Sequence, residues 1–193
     1  MPLSPPVARR ILKHTRLLRV EAFAREDGLW DIDAQITDVK TRTVTLASGA
    51  RPAGEPLHDL KLRLTIDREF NVIAAESASD SMPYPGFCDT IKPAYEQLVG
   101  LNLLQGFRQQ VIARVGGVAG CTHLTELAQI LPTAAIQAFA GDVLPTRDGD
   151  LDDANQQKPF QLDRCHALRI DGGAVALFYP RWSIKPGPQI QSG

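Results

Sequence analysis

The sequence predicts an α+β fold, with antiparallel β-hairpins packed against a cluster of helices. Three observations predict it. Apolar and polar residues alternate through two stretches before residue 80, the period of half-buried strands. After residue 88 the apolar spacing becomes helical. The strand-like and helix-like segments are also segregated along the chain, which is the α+β order rather than alternating α/β.

The elements follow in order. Residues 1–10 are Pro-rich and read as a flexible arm; a single domain is expected over 11–184, with a disordered tail at 185–193. Leu17 to Lys40 reads as a hairpin turning at Glu26-Asp27-Gly28, where Gly28 suits a positive φ. On its return strand Trp30, Ile32, Ala34 and Ile36 share one face; Asp31, Asp33 and Asp38 are assigned to the polar, solvated face. Thr43 to Leu46 is a short strand and Gly49 to Pro56 a loop. A second hairpin runs out through Leu60, Leu62, Leu64 and Ile66, turns at Asp67-Arg68-Glu69 and returns from Phe70 to Ser77. Pro83, Pro85 and Gly86 mark a loop.

Helices are predicted over Asp89–Val99, with Pro93 in the first turn and Asp89 or Thr90 as N-cap, over Phe107–Arg114, and from about Thr122 to Phe139 with Pro132 starting a kink or a new helix inside it. Gly141 to Lys158 is an acidic loop. Phe160 to Trp182 reads as a final hairpin turning at Asp171-Gly172-Gly173.

A chain of 193 residues can bury a core without disulfides. Its net charge of −1 supplies no field for nucleic acid or an anionic membrane. No apolar run is long enough to span a bilayer, and the N-terminus lacks the apolar core of a secretory signal, so a cytoplasmic location is expected. Three widely spaced cysteines do not make a disulfide framework.

Those cysteines lie at element boundaries. Cys88 and Cys121 each fall near a helix start, where the dipole and free N–H groups favour a thiolate. Cys165 directly precedes His166. His58 opens the second hairpin beside Asp59, and His123 follows Cys121 by two positions. Thiolate and imidazole together suit zinc or iron. The residues expected to hold one divalent ion are His58, Cys88 and Cys121, with His123, Cys165 or His166 as a further ligand. Asp59 is expected to orient His58. Glu126, three residues past His123 on the same helix face, is expected to carry a proton. The competing reading makes the cysteines packed hydrophobes, the histidines satisfied polar groups and Glu126 a solvated carboxylate. His14, Arg16 and Arg63 are suited to gripping a carboxylate or phenolate, with a solvated surface role as the alternative.

From His58 to Phe139 the layout resembles the NifU-like iron–sulfur scaffold proteins. The residues that carry the likeness are Pro56-Leu57-His58-Asp59, the hairpin from Leu62 to Ala75, Phe87-Cys88, Leu98-Val99-Gly100, and Gly120-Cys121-Thr122-His123-Leu124-Thr125-Glu126-Leu127-Ala128. His58 stands where those scaffolds have their first cysteine, and Gly120 where they have a histidine; a mixed His/Cys mononuclear site survives these changes better than a three-cysteine cluster. Over most of its length the chain is similar to an uncharacterised bacterial domain-of-unknown-function family, through Asp27-Gly28-Leu29-Trp30-Asp31, His58-Asp59, Gly120-Cys121-Thr122-His123-Leu124, Cys165-His166-Ala167-Leu168 and Tyr179-Pro180-Arg181-Trp182. That resemblance implies a setting in bacteria that degrade aromatic compounds.

Three functions follow as expectations. The first is a metal-dependent lyase or hydrolase acting on a small organic molecule, with His123, Glu126 and Asp59 as its acid–base and orienting groups. The second is a metal or iron–sulfur carrier. The third is a metal-free enzyme with Cys88 or Cys121 as nucleophile and His58 or His123 as base. The partner expected is a small-molecule substrate, not nucleic acid or membrane, and a homo-oligomer is allowed.

Overall fold

Gly28 takes φ +84° and the Asp27 carboxylate accepts from the Leu29 N–H at 3.2 Å. This turn lets β1 (His14–Ala24) fold back antiparallel on β2 (Trp30–Lys40). The computed structural model describes residues 2–147 and 157–184. A two-stranded excursion, β3 (Val44–Leu46) with β4 (Gly49–Arg51), separates this hairpin from β5 (Pro56–Ile66) and β6 (Val72–Ser81). The four long strands form one antiparallel sheet in the order β1-β2-β5-β6. Asp67 organises the second turn by accepting from the N–H groups of Glu69 and Asn71 at 3.0 and 2.8 Å.

Period-2 alternation builds the core face. Ile32 pairs with Leu64, Ala34 with Leu62 and Ile36 with Leu60, and all six side chains are buried. Each large member stabilises the fold by about 2 kcal/mol. A 3-10 helix, Cys88–Leu98, packs along β6, followed by α1 (Phe107–Val115) and α2 (Thr122–Phe139). Leu124, Leu127, Ala128 and Leu131 of α2 are fully buried at helical spacing. Pro132 lies inside α2, which continues through it to Phe139.

Several expectations are corrected. Phe160–Trp182 is not a hairpin: it holds turns, α3 (Gly173–Phe178) and a 3-10 turn at Pro180–Trp182. Its apolar run, Ala174 to Phe178, is too short for periodicity to separate helix from strand, and the buried pair Val175 and Ala176 is served by one helical turn. The segment at Cys88 winds as 3-10 from a Phe87 N-cap that makes no side-chain cap bond, with Pro93 in its middle. Gly49–Pro56 is not all loop, since β4 lies within it. Asp38 is 4% exposed and follows Ile32, Ala34 and Ile36 on the buried face, not the solvated one.

The chain divides into two compact units, Met1–Ala135 and Ile136–Gly193, where the sequence suggests one domain over 11–184. Residues 2–10 are exposed and without regular structure. The expected disordered tail at 185–193 and residues 148–156 of the acidic loop lie outside the described residues. Among the described residues, no helix is long and apolar enough to cross a membrane.

Candidate functional site

Sheet register puts three polar residues in one row at the end of the apolar face. Arg16 of β1 stands opposite Asp38 of β2, which stands opposite His58 of β5. The Arg16 fork grips Asp38 bidentately, Nε to Oδ1 and Nη2 to Oδ2, each at 2.9 Å. His14 Nε2 lies 2.7 Å from Oδ1 and His58 Nδ1 lies 3.1 Å from Oδ2. Burial alone pushes the Asp38 carboxyl up, but the Arg16 and His14 hydrogen bonds outweigh it and hold the group at about 2. A buried carboxylate with this many partners is an anchor, and it is ionised at neutral pH.

The start of α2 meets this row from above. His123 stacks on His58 with ring centroids 3.8 Å apart, and its Nε2 lies 3.6 Å from Asp38 Oδ2. Arg16 Nη1 also donates to Glu126 Oε2 at 2.7 Å, so one guanidinium ties the sheet to the helix. Burial, then the neighbouring His123, lowers the His58 pKa against the pull of Asp38.

The fully buried Tyr95 fixes the helix start. Its hydroxyl donates to the Cys121 carbonyl at 2.8 Å and accepts from the Cys121 N–H at 2.9 Å. That carbonyl takes the first intrahelical bond, from Thr125 N–H, which puts Cys121 at the N-cap position. The Cys121 Sγ lies 3.9 Å from His123 Nδ1. Burial pushes the thiol up, but the His123 contact and the N–H groups of Leu124 and His123 bring it below the usual thiol range. Asp38 Oδ2, the His123 ring and Cys121 Sγ therefore form one chain.

His58, Cys88, Cys121 and His123 all line one cleft of about 510 Å³. The structure thus brings together four of the residues singled out in the sequence. Among the described residues, the group whose ligand atoms lie within 4.8 Å of one another is Asp38, His58 and His123. Asp59 is on the other face of β5, where it accepts from Gln35 Nε2 at 2.6 Å; the carboxylate that meets His58 is Asp38. Glu126 shares the helix face of His123 and pairs with Arg16. Cys165 and His166 belong to the second unit, and both are exposed. Arg16 and His14 do grip a carboxylate, the chain's own Asp38; Arg63 does the same to Asp33, with both bonds at 2.6 Å.

Sequence reasoning missed Asp38 because it followed residue type and not parity. Position 38 is even, like Ile32, Ala34 and Ile36, so strand alternation alone could have found it.

A family model described as a protein of unknown function, DUF2889, matches residues 14–137. No curated protein and no solved structure matches the chain. The matched segment begins at His14 and contains Asp38, His58, Cys88, Cys121 and His123.

Proposed function

The chain belongs to the DUF2889 family of proteins of unknown function, and from the site geometry we propose that it is a metal-dependent enzyme of the hydrolase or lyase type, acting on a small organic molecule. The observation that carries the reading is the Asp38, His58 and His123 group. Ligand atoms bound to one zinc or iron at ordinary bond lengths lie about 3–3.6 Å apart. His58 Nδ1 and His123 Nε2 stand 3.1 and 3.6 Å from Asp38 Oδ2. An ion there takes the place of the proton shared between His58 and Asp38. Two imidazoles and one carboxylate leave coordination positions open, which is the catalytic rather than the structural pattern. Such an ion supplies polarisation of a carbonyl or an acidified water.

The chain's own residues then have distinct tasks. Arg16 and His14 keep Asp38 ionised and oriented. His123 presents Nε2 to the ion while its Nδ1 faces Cys121. Glu126, paired with Arg16 and with its side chain 41% exposed, is the carboxylate placed to exchange protons with solvent.

The test is calorimetric titration of zinc and of ferrous iron into chelator-treated protein. One equivalent bound, with affinity lowered at least about tenfold in His58→Ala and in His123→Ala, supports the site. Wild-type protein that takes up neither metal removes the reading. Protein that purifies coloured and with acid-labile sulfide favours the carrier alternative instead.

A second reading rests on a different observation, the chain Cys121 Sγ, His123 Nδ1, His123 Nε2 and Asp38 Oδ2, with steps of 3.9 and 3.6 Å. That is the order of a nucleophile, base and orienting carboxylate, with the thiol at a helix start. It requires no metal and predicts selective alkylation of Cys121.

A further inference from the structure

The cleft that opens on His58, Cys88, Cys121 and His123 has an unusual lining for a chain in which 22% of residues are charged. No Asp, Glu, Lys or Arg lines it among the described residues. One wall is Met82, Pro83, Tyr84, Phe87, Ile91 and Val118. Tyr84, Phe87 and Val118 are exposed large apolar side chains, and all three are on this one rim. The polar groups among the lining side chains are the hydroxyls of Ser79, Tyr84, Thr90 and Thr122, together with the two imidazoles and two thiols. The nearby formal charges of Arg16 and Asp38 are spent on each other.

An ionised ligand body placed against this wall would lose its hydration with no counter-charge from the metal-free lining to replace it. A neutral apolar body gains by covering the exposed wall. From this lining we propose that the substrate is an uncharged carbonyl compound, an ester or amide, whose apolar ring or short chain lies against Tyr84, Phe87, Ile91 and Val118 while its carbonyl faces His58 and His123. The chemistry at the carbonyl rests on the reading of the previous section; the binding of the apolar body does not.

The experiment follows amide chemical shifts of the metal-free full chain during titration with methyl benzoate, benzoate and benzylamine. Saturable shifts at Cys88, Val118 and Cys121 are expected for methyl benzoate, with benzoate and benzylamine at least tenfold weaker. Phe87→Asp and Val118→Asp alter exposed side chains, leave the fold intact and weaken methyl benzoate at least tenfold. Benzoate binding as tightly as the ester, methyl benzoate shifts that ignore both substitutions, or no binding by any of the three overturns the proposal. Zinc uptake measured on the same samples reports separately on the metal site: its loss with ester binding retained removes the metal reading and leaves the cleft assignment standing.

Discussion

Asp38 faces His58 directly across the β2–β5 ladder, and both side chains point to the buried side of the sheet. The pair continues the rows Ile32–Leu64, Ala34–Leu62 and Ile36–Leu60, so the candidate site is the polar end of the hydrophobic core rather than a surface addition. Its carboxylate is held by Arg16 and His14 from the neighbouring strand.

That arrangement makes stability depend on pH. The folded Asp38 carboxyl sits at about 2, below its ordinary 3.8. A depressed carboxyl contributes stability above its unfolded value and loses it as pH falls towards the folded one. The contribution at neutral pH is about 2 kcal/mol for metal-free protein, fading between about pH 4 and pH 2. Thermal unfolding of wild type and Asp38→Asn across that window should show the gap between them closing as pH falls. A gap that stays constant with pH would mean that Asp38 acts through shape alone.

Tyr95→Phe should cost about 1–3 kcal/mol. Its hydroxyl is the partner of the Cys121 N–H, so removing it leaves that part-buried donor without its partner at the start of α2, while the Cys121 carbonyl keeps its bond from Thr125 N–H. Denaturant unfolding gives the number. Faster amide exchange at Cys121 and Thr125, with distant β-sheet amides unchanged, would show that the loss is local. A substitution that costs nothing would show that water replaces the hydroxyl and that the clasp does not position Cys121.

Gly120→Ala tests the same loop from the other side. A Cβ there would meet the Val115 carbonyl oxygen at 2.1 Å, a backbone atom, and the Tyr95 hydroxyl at 3.1 Å. The backbone at Gly120 is extended, so the conflict is space and not conformation. Relief requires moving the chain between α1 and α2, at a cost of about 1–3 kcal/mol. The shift would also carry Cys121 away from His123, so the melting temperature and the Cys121 alkylation rate should fall together. A stability loss with unchanged thiol reactivity would show that the loop yields at α1 instead.

The same geometry explains what the sequence made legible. The hairpins at Gly28 and Asp67 and helix α2 from Thr122 to Phe139 were readable because turn chemistry and apolar period agree there. His58, Cys88, Cys121 and His123 were found because soft and imidazole donors at element starts are chemically distinctive, and they line one cleft. Residue type alone assigns Asp38 to the solvated face, whereas its parity with Ile32, Ala34 and Ile36 places it inside. Adjacency points to Asp59 as the partner of His58, but neighbouring residues of a strand point to opposite faces, and Asp38 is the carboxylate that His58 meets. The row Arg16–Asp38–His58 depends on strand register, and no local pattern states which residues of three separated strands will stand side by side. The final segment misled because a short apolar run carries no period to distinguish Gly173–Phe178 as helix.

The thiol of Cys121 reports directly on the contact with His123. The His123 contact and two backbone N–H groups hold the thiol below its usual range against the effect of burial. His123→Ala should therefore raise it and leave less thiolate at pH 7. The more basic thiolate is also the better nucleophile, which returns part of the loss. Iodoacetamide alkylation in a Cys88→Ser, Cys165→Ser background should accordingly slow by only about threefold at pH 7, while the midpoint of the rate–pH profile moves upward. Asp38→Asn should move that midpoint less, since Asp38 acts on the thiol only through the ring of His123, 3.6 Å away. A midpoint that His123→Ala leaves in place would show that the helix start alone activates Cys121, and the nucleophile–base reading of the site would fall with it.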